Sequence, residues 1–326
     1  MRRSATVLLS VAAVLVGVPV PAGAAVDCTS TVLPVLPGTS GGSGSAILDA
    51  NTFLGWMNDP YQGVIWRNGS ISSLNIVPKE VNASGLVAGS VGTGTPHAAR
   101  AQLGGTPEVG STRPSSLADV NSAGDAVGWQ TNLYAPPSDY DGLWWKRGDA
   151  APTLLPGPYR TSAGAIDDFG NMIGWGETSQ GERRYMIWGP DGTITRQYGP
   201  FAAGETHVAL DDVDEGVAVA TRYPASGATD IVLIDVATGT MTPVSGSSGW
   251  AALNLSKGSV LAQDADITST YRLWHDGVTY NLPDPAGMRS SRLFDMNVIG
   301  STAIVLGFSY PQDTLSFQHP VVWRCG

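Results

Sequence analysis

The chain predicts an all-β fold: a seven-bladed β-propeller of four-stranded antiparallel blades, closed by pairing its N-terminal strand with the last blade. Three observations predict it. A four-strand unit recurs seven times at spacings of 32 to 47 residues, the span of a propeller blade. The segments within each unit are short and apolar, punctuated by Gly, Asn, Asp and Pro, with no amphipathic helical period. The two cysteines, Cys28 and Cys325, stand at opposite ends of the chain, and a bond between them requires ends that meet.

The first strand of each unit leads into an Asx turn and a Gly. Clear copies are EVNASG from Glu80 to Gly85, DVNSAG from Asp119 to Gly124, IDDFG from Ile166 to Gly170 and DMNVIG from Asp295 to Gly300. Looser copies run from Leu48 to Asn51, Asp211 to Gly216 and Leu253 to Gly258. An Asx residue with a Gly free to take positive φ is what a tight hairpin with a bulge needs. The second strand often ends in Gly and an aromatic, as at Gly55-Trp56, Gly128-Trp129, Gly174-Trp175 and Gly307-Phe308. The third closes on Trp66, Trp145, Trp188, Trp274 or Trp323, with Ala101 and Ile234 instead in the second and fifth units. A further tight turn, such as Asn68-Gly69 or Asp276-Gly277, opens the fourth strand, which ends in Leu-Pro at Leu155-Pro156 and Leu282-Pro283.

The final unit stops at VVWRCG, Val321 to Gly326, without a fourth strand. The Leu-Pro signature recurs at Leu33-Pro34, just after Cys28. Residues 26–36 are therefore expected to supply that strand, with proline tolerated at a sheet edge and a Cys28–Cys325 disulfide pinning the seam. The blades are expected to start near residues 46, 78, 116, 163, 208, 251 and 292, within one domain over residues 26–326.

Residues 1–25 combine Arg2 and Arg3, an apolar run, Pro19, Pro21 and the small residues Ala22, Gly23 and Ala24. This reads as a signal peptide cleaved near Ala24 or Ala25, so the protein is expected to be secreted and extracellular. The apolar run is shorter than the roughly 20 residues of a spanning helix, which argues against membrane insertion. Removing two basic and no acidic residues takes the formal charge from −10 to −12. With no basic clusters, nucleic acid is a poor partner. An even cysteine pair in an oxidising compartment fits a disulfide.

The turn, strand and Leu-Trp pattern resembles the extracellular HAF-type repeat across nearly all of the chain after residue 25. That resemblance implies a propeller and carries no catalytic residues. An exported propeller closed by its termini is also similar in architecture to the lectin subunits of bacterial umbrella toxin particles.

Tight turns are expected on one face and the long second-to-third-strand loops on the other, near residues 57–62, 90–97, 130–141, 176–184, 221–229, 263–270 and 309–320. Loops on a rigid scaffold carry recognition. These are rich in aromatic and acidic residues: Trp56, Asp59, Tyr61, Trp129, Tyr134, Tyr140, Asp141, Trp175, Tyr223 and Tyr310. Flat rings stack on sugar faces while carboxylates take hydroxyl hydrogen bonds, so a glycan-binding face is one reading. The competing one packs the recurrent Gly-Trp residues between blades. The third-strand tryptophans read as structural, and the recurrent Glu80, Asp119 and Asp295 as hydrogen-bond anchors, because a scaffold device is needed in every blade.

Catalytic templates fit poorly. His97, His207, His275 and His319 fall in different units without metal-site spacing, so neither a metal nor a cofactor is expected. No nucleophile elbow, phosphate loop or EF-hand pattern occurs. A glycosidase would need two carboxylates about 5 to 10 Å apart, for which Asp211 with Asp212, or Glu177 with Glu182, are the candidates. The expected role is a non-catalytic module binding glycan or a secreted or cell-surface protein. The alternatives are a polysaccharide-active hydrolase or lyase, and a docking subunit of a larger secreted assembly.

Overall fold

A computed structural model of the chain describes residues 26–92, 94–131, 140–201, 205–266, 270–313 and 317–326. Among them lie seven antiparallel meanders. In the first blade Gly42–Asp49, Thr52–Met57, Gln62–Arg67 and Ser70–Leu74 pair in chain order. The first strands of the other blades are Val77–Val81, Ser115–Val120, Arg160–Ile166, His207–Asp214, Trp250–Ser256 and Met288–Ile299. Because each sheet runs up and down in order, its first-to-second and third-to-fourth turns share one face. The connections between blades and the second-to-third loops share the other. No helix among the described residues is long and apolar enough to cross a membrane.

The ring closes as the repeat pattern requires. Thr29–Val32 pairs antiparallel with His319–Cys325, Thr29 opposite Arg324 and Val32 opposite Val321, and Cys28 is bonded to Cys325. One feature has no counterpart in the sequence pattern. Val26–Asp27 first adds a short parallel strand to Val278–Asn281 at the edge of blade six, and the chain then crosses to blade seven.

The core lies between blades rather than within them. Each hydrophobic cluster joins side chains of two neighbours: Leu33, Ile304, Leu306 and Val322 of blade seven pack on Ile47, Phe53 and Trp66 of blade one. The same arrangement recurs around the ring. A twisted sheet has two apolar faces, and only a neighbour on each side removes both from water.

The third-strand tryptophans have a second task. Trp66, Trp188 and Trp323 are fully buried, and each indole Nε1 donates to the proline carbonyl ending the preceding blade's fourth strand. The acceptors are Pro34 at 2.7 Å, Pro156 at 2.7 Å and Pro283 at 2.8 Å. The two signatures noted separately in the sequence, Leu-Pro and the third-strand Trp, are thus halves of one contact. In blade three the preceding blade offers no Leu-Pro, and Trp145 donates instead to Asp149 O in its own turn.

The first hairpin turn also divides into two kinds that the sequence pattern merges. In blades two to four the Asx side chain folds back: Asn82 Oδ1 accepts the Ser84 and Leu86 amides, and Asp167 Oδ1 those of Phe169 and Asn171. In blades five and six two consecutive residues take positive φ, Glu215 with Gly216 and Lys257 with Gly258, the conformation of a type I′ turn.

Two expectations follow. Replacing Cys28 and Cys325 by Ser lowers unfolding stability by on the order of 5 kcal/mol in the chain-entropy treatment of long loops, measurable by comparing urea denaturation with and without reductant. Trp188→Phe, which keeps the packing but loses the bond to Pro156, costs about 1 kcal/mol. Trp188→Ala costs roughly 3 to 5 kcal/mol in the same assay.

Candidate functional site

A β-bulge interrupts every first strand at an equivalent place. It falls between Gly44 and Ala46, Pro78 and Glu80, Leu117 and Asp119, Ala163 and Ala165, Leu210 and Asp212, Ala252 and Asn254, and Leu293 and Asp295. A bulge re-aims side chains, and here the bulged residue of every blade, with its successor in all but the first, reaches a cavity of about 620 Å³ on the ring axis.

Four of the seven positions after the bulge are acidic: Glu80, Asp119, Asp212 and Asp295. Three of these stitch neighbouring blades together. Asp119 accepts the Val120 amide at 2.6 Å and, across the blade boundary, the Ile166 amide at 2.7 Å. Asp212 likewise accepts from Val213 and Leu255, both at 2.8 Å, and Asp295 from Met296 and from Ile47 of blade one. The anchoring role expected from recurrence is therefore visible in the geometry. Glu80 differs: Oε1 accepts the Val81 amide at 2.8 Å, and Oε2 has no hydrogen-bond partner among the described residues.

Crowding of acids away from water shifts their protonation. Burial raises Asp119 to about 6, and burial raises Asp211 and Asp295 to about 7. Glu80 is pushed well above the carboxylate range by burial and then by Asp295 and Asp119, and Asp212 by burial and then by Asp119. Desolvation and like charge disfavour the ionised form, and the amide hydrogen bonds offset only part of that. Among the described residues no group of three or more His, Cys, Asp or Glu is arranged to hold a metal ion.

The long-loop end of the cavity is aromatic. Trp56, Trp129 and Phe294 line it. Trp56 meets Phe294 edge-on at 5.6 Å, Phe294 lies 5.8 Å from Phe308, and Phe308 meets Tyr310 at 5.2 Å. These four rings form a continuous ladder from the channel outward. The Tyr310 hydroxyl accepts from Gln318 Nε2, and Gln318 Oε1 accepts from Asn58 Nδ2. Lys79 Nζ lies over the Trp56 ring, 5.0 Å from its centroid.

Strand pairing runs further into the expected loops than the sequence pattern allows. Trp129 pairs opposite Gly142, Gln130 opposite Asp141 and Thr131 opposite Tyr140, so Tyr140 and Asp141 lie on a strand. Tyr223 ends the strand Val217–Tyr223, and Tyr310 lies within Thr302–Pro311. The reason is that flanking polar and aromatic residues continue the ladder at the sheet end, where period-two apolarity has already lapsed. Only Asp59 and Tyr61 occupy a described loop, and Tyr134 lies outside the described residues.

The structure brings some of the expected residues together and separates others. Trp56 and Trp129 face the cavity, Tyr140 packs edge-on against Trp129 at 5.1 Å, and Tyr310 ends the ladder. Asp59 accepts the Ser40 hydroxyl at 2.6 Å, and Tyr61 is exposed; neither lines the cavity. Trp175 lies under the Arg183 guanidinium at 4.6 Å, and Tyr223 stacks on His207 at 4.5 Å, both away from the cavity lining. The carboxylates considered for hydrolysis are held within the blades. Glu177 pairs with Arg160 and Arg183, and Glu182 approaches Arg184. Asp211 Oδ2 accepts from the Thr221 amide and hydroxyl, while Asp212 bridges two blades.

Phe294 is the residue that sequence reasoning passes over. It is 47% exposed although flanked by core strand residues. The available signal is its position: it immediately precedes the recurrent acid, where other units carry Lys79, Ala118, Asp211 or Leu253, a variety incompatible with a core position.

No protein-family model and no curated protein matches the chain. Solved structures resemble it in fold. The β-propeller domain of the Trilobed protease from Pyrococcus furiosus, reported to have an open velcro topology, superposes with a TM-score of 0.60 at 11% identity over 87% of this chain and 94% of that one. A streptogramin B lyase gives 0.56 at 10% identity over 92% and 98%. YCF48 bound to a D1 peptide gives 0.55 at 13% identity over 93% and 96%. At these identities the likeness is one of architecture, a seven-bladed propeller.

The raised carboxylates set a pH dependence. A native state that holds protons between about pH 4 and 7 which the unfolded chain has released is stabilised at the acidic end, and this contribution declines as pH rises through that window. Thermal melts are expected to show a higher midpoint at pH 5 than at pH 8, and Asp295→Asn flattens the difference.

Proposed function

We propose that this protein is a secreted, non-catalytic binding module that recognises carbohydrate at the aromatic long-loop mouth of its central channel. The observation that carries the reading is the ladder of Trp56, Phe294, Phe308 and Tyr310, which begins inside the cavity and runs outward. Phe294 is the exposed ring of the ladder and Trp56 and Tyr310 are partly exposed, with Phe308 buried behind them; ring faces of this kind are what pyranose faces stack on, with amide and hydroxyl groups such as Asn58, Gln318 and Tyr310 alongside. The exposure of Phe294, 47% although it packs on Trp56 and Phe308, supports the same reading, because it leaves ring surface open to a ligand.

Export and the HAF-type repeat belong to this proposal. The Cys28–Cys325 bond supports an oxidising compartment, and the leader-like residues 1–25 support secretion. Protein recognition is the second reading, supported by one propeller of similar fold, YCF48, being bound to a peptide.

The test is a glycan array followed by titration of the best ligand. Trp56→Ala and Phe294→Ala are expected to weaken binding by about tenfold each, the loss of a stacking contact of roughly 1 to 1.5 kcal/mol. Retention of no glycan, or an affinity indifferent to both changes, disposes of the carbohydrate reading.

A further inference from the structure

Lys79 gives the aromatic mouth a positive charge that a neutral sugar does not need. It is the bulged residue of blade two, and its ammonium stands 5.0 Å from the Trp56 centroid, within the range of a cation–π contact. That contact leaves all three N–H donors of the ammonium without an acceptor, since no hydrogen bond or ion pair among the described residues takes them. The other lysine of the lining is already committed: Lys257 Nζ donates to Val298 O at 2.8 Å. Lys79 is partly buried, yet its Nζ keeps accessible surface. A ligand can therefore reach it.

The neighbouring bulges put this charge beside the exposed ring. In three consecutive blades the bulged residues are Phe294, Ser45 and Lys79, and all three line the cavity together with Trp56. Ser45 is small, and its hydroxyl donates to Pro78 O at 2.9 Å, which leaves the space between the two longer side chains open. Phe294 meets Trp56 at 5.6 Å, so ring and ammonium pack on the same indole. A pyranose laid on Phe294 has a cation next to it.

The acids of the axis do not neutralise that cation. Burial alone lowers the proton affinity of Lys79, and Glu80 is raised by burial and by Asp295, Asp119 and Asp212, with no part played by Lys79. A carboxylate in contact with an ammonium would favour the ionised form of both, so the two sets of charges stand apart. The raised proton affinity of Glu80 and Asp212 also removes part of the negative charge that would oppose an anion. Charge elsewhere on the exposed surface is screened over about 8 Å at physiological ionic strength. Lys79 thus combines the cost of desolvation with no partner to offset it, and an anion from outside the chain would supply one.

We infer that the saccharide recognised at this mouth is acidic: a pyranose with a carboxylate attached to its ring, as in uronic and sialic acids, stacks on Phe294 and places that carboxylate on the Lys79 ammonium. The inference rests on the carbohydrate reading and narrows it. The carboxylate approaches Lys79 from the side away from Trp56, so the cation–π contact persists. An ionised acceptor makes a shorter and stronger bond to the ammonium than the hydroxyl of a neutral sugar does. Phe294 then holds the ring of either kind of sugar, and Lys79 selects between them.

Isothermal titration of the intact protein at pH 7 tests the inference, with trigalacturonate and 3′-sialyllactose as the acidic probes and the methyl ester of each as its uncharged counterpart. One of the two acids is expected to bind about tenfold more tightly than its own ester, the gain of one charge-assisted hydrogen bond, and which acid gains identifies the source of the carboxylate. Added sodium chloride is expected to shrink that preference. Lys79→Gln is expected to abolish it while leaving the affinity for the ester unchanged, whereas Phe294→Ala weakens acid and ester alike. Esters that bind as well as their acids overturn the inference, as does a preference that survives Lys79→Gln. The comparison of acid with ester is made on the wild-type protein and decides the matter even where a variant does not fold. Retention of neutral glycans without preference for either acid removes this inference and leaves the carbohydrate reading standing; retention of no glycan of either kind removes both.

Discussion

Closure of the ring is the constraint on which the rest depends. Each blade has two apolar faces, and the hydrophobic clusters are shared between neighbours, so an open row of seven would leave one face bare at either end. Pairing Thr29–Val32 with His319–Cys325 removes that exposure by making the last blade from both ends of the chain. The disulfide adds a covalent limit at the same seam. An axial cavity exists only because the row is a circle, and every statement about its mouth inherits that geometry.

The axis reveals a competition between two electrostatic demands. First strands converge there, and their unpaired amides after each bulge need acceptors. Asp119, Asp212 and Asp295 meet that need and bind one blade to the next. Placing several carboxylates around one axis sets them against each other, and their elevated proton affinity records the conflict. The blades without an acid at this place, with Ala46, Ala165 and Asn254, limit the crowding. Structural bonding and charge concentration thus arise from the same residues, which is why recurrence alone separates anchor from binding group poorly.

Much of the architecture was legible in the sequence because its signals are periodic. Turn glycines, closing tryptophans and Leu-Pro pairs recur at blade spacing, and the closing strand was identifiable from Leu33-Pro34. What the pattern concealed is what periodicity does not encode. The bond from Trp188 to Pro156 joins different repeats, so neither residue alone suggests it. The bulge that exposes Phe294 is a backbone irregularity without a residue type of its own. Strands lengthened past Trp129 and as far as Tyr223 because ladder bonding continues where apolar alternation stops. The candidate site was legible only in part: Trp56, Trp129, Tyr140 and Tyr310 fell near the channel mouth, whereas Trp175 and Tyr223 are absorbed by Arg183 and His207.

The seam also orders events in time. Residues 29–32 are made early, yet their partner strand, 319–325, is nearly the whole chain away. Until synthesis reaches that strand, the early segment has nothing to pair with, and six blades stand as an incomplete arc with an uncovered flank. Such distant pairing carries a large loop-closure penalty and slows the final step. Association through that uncovered flank therefore competes with closure until the two ends meet.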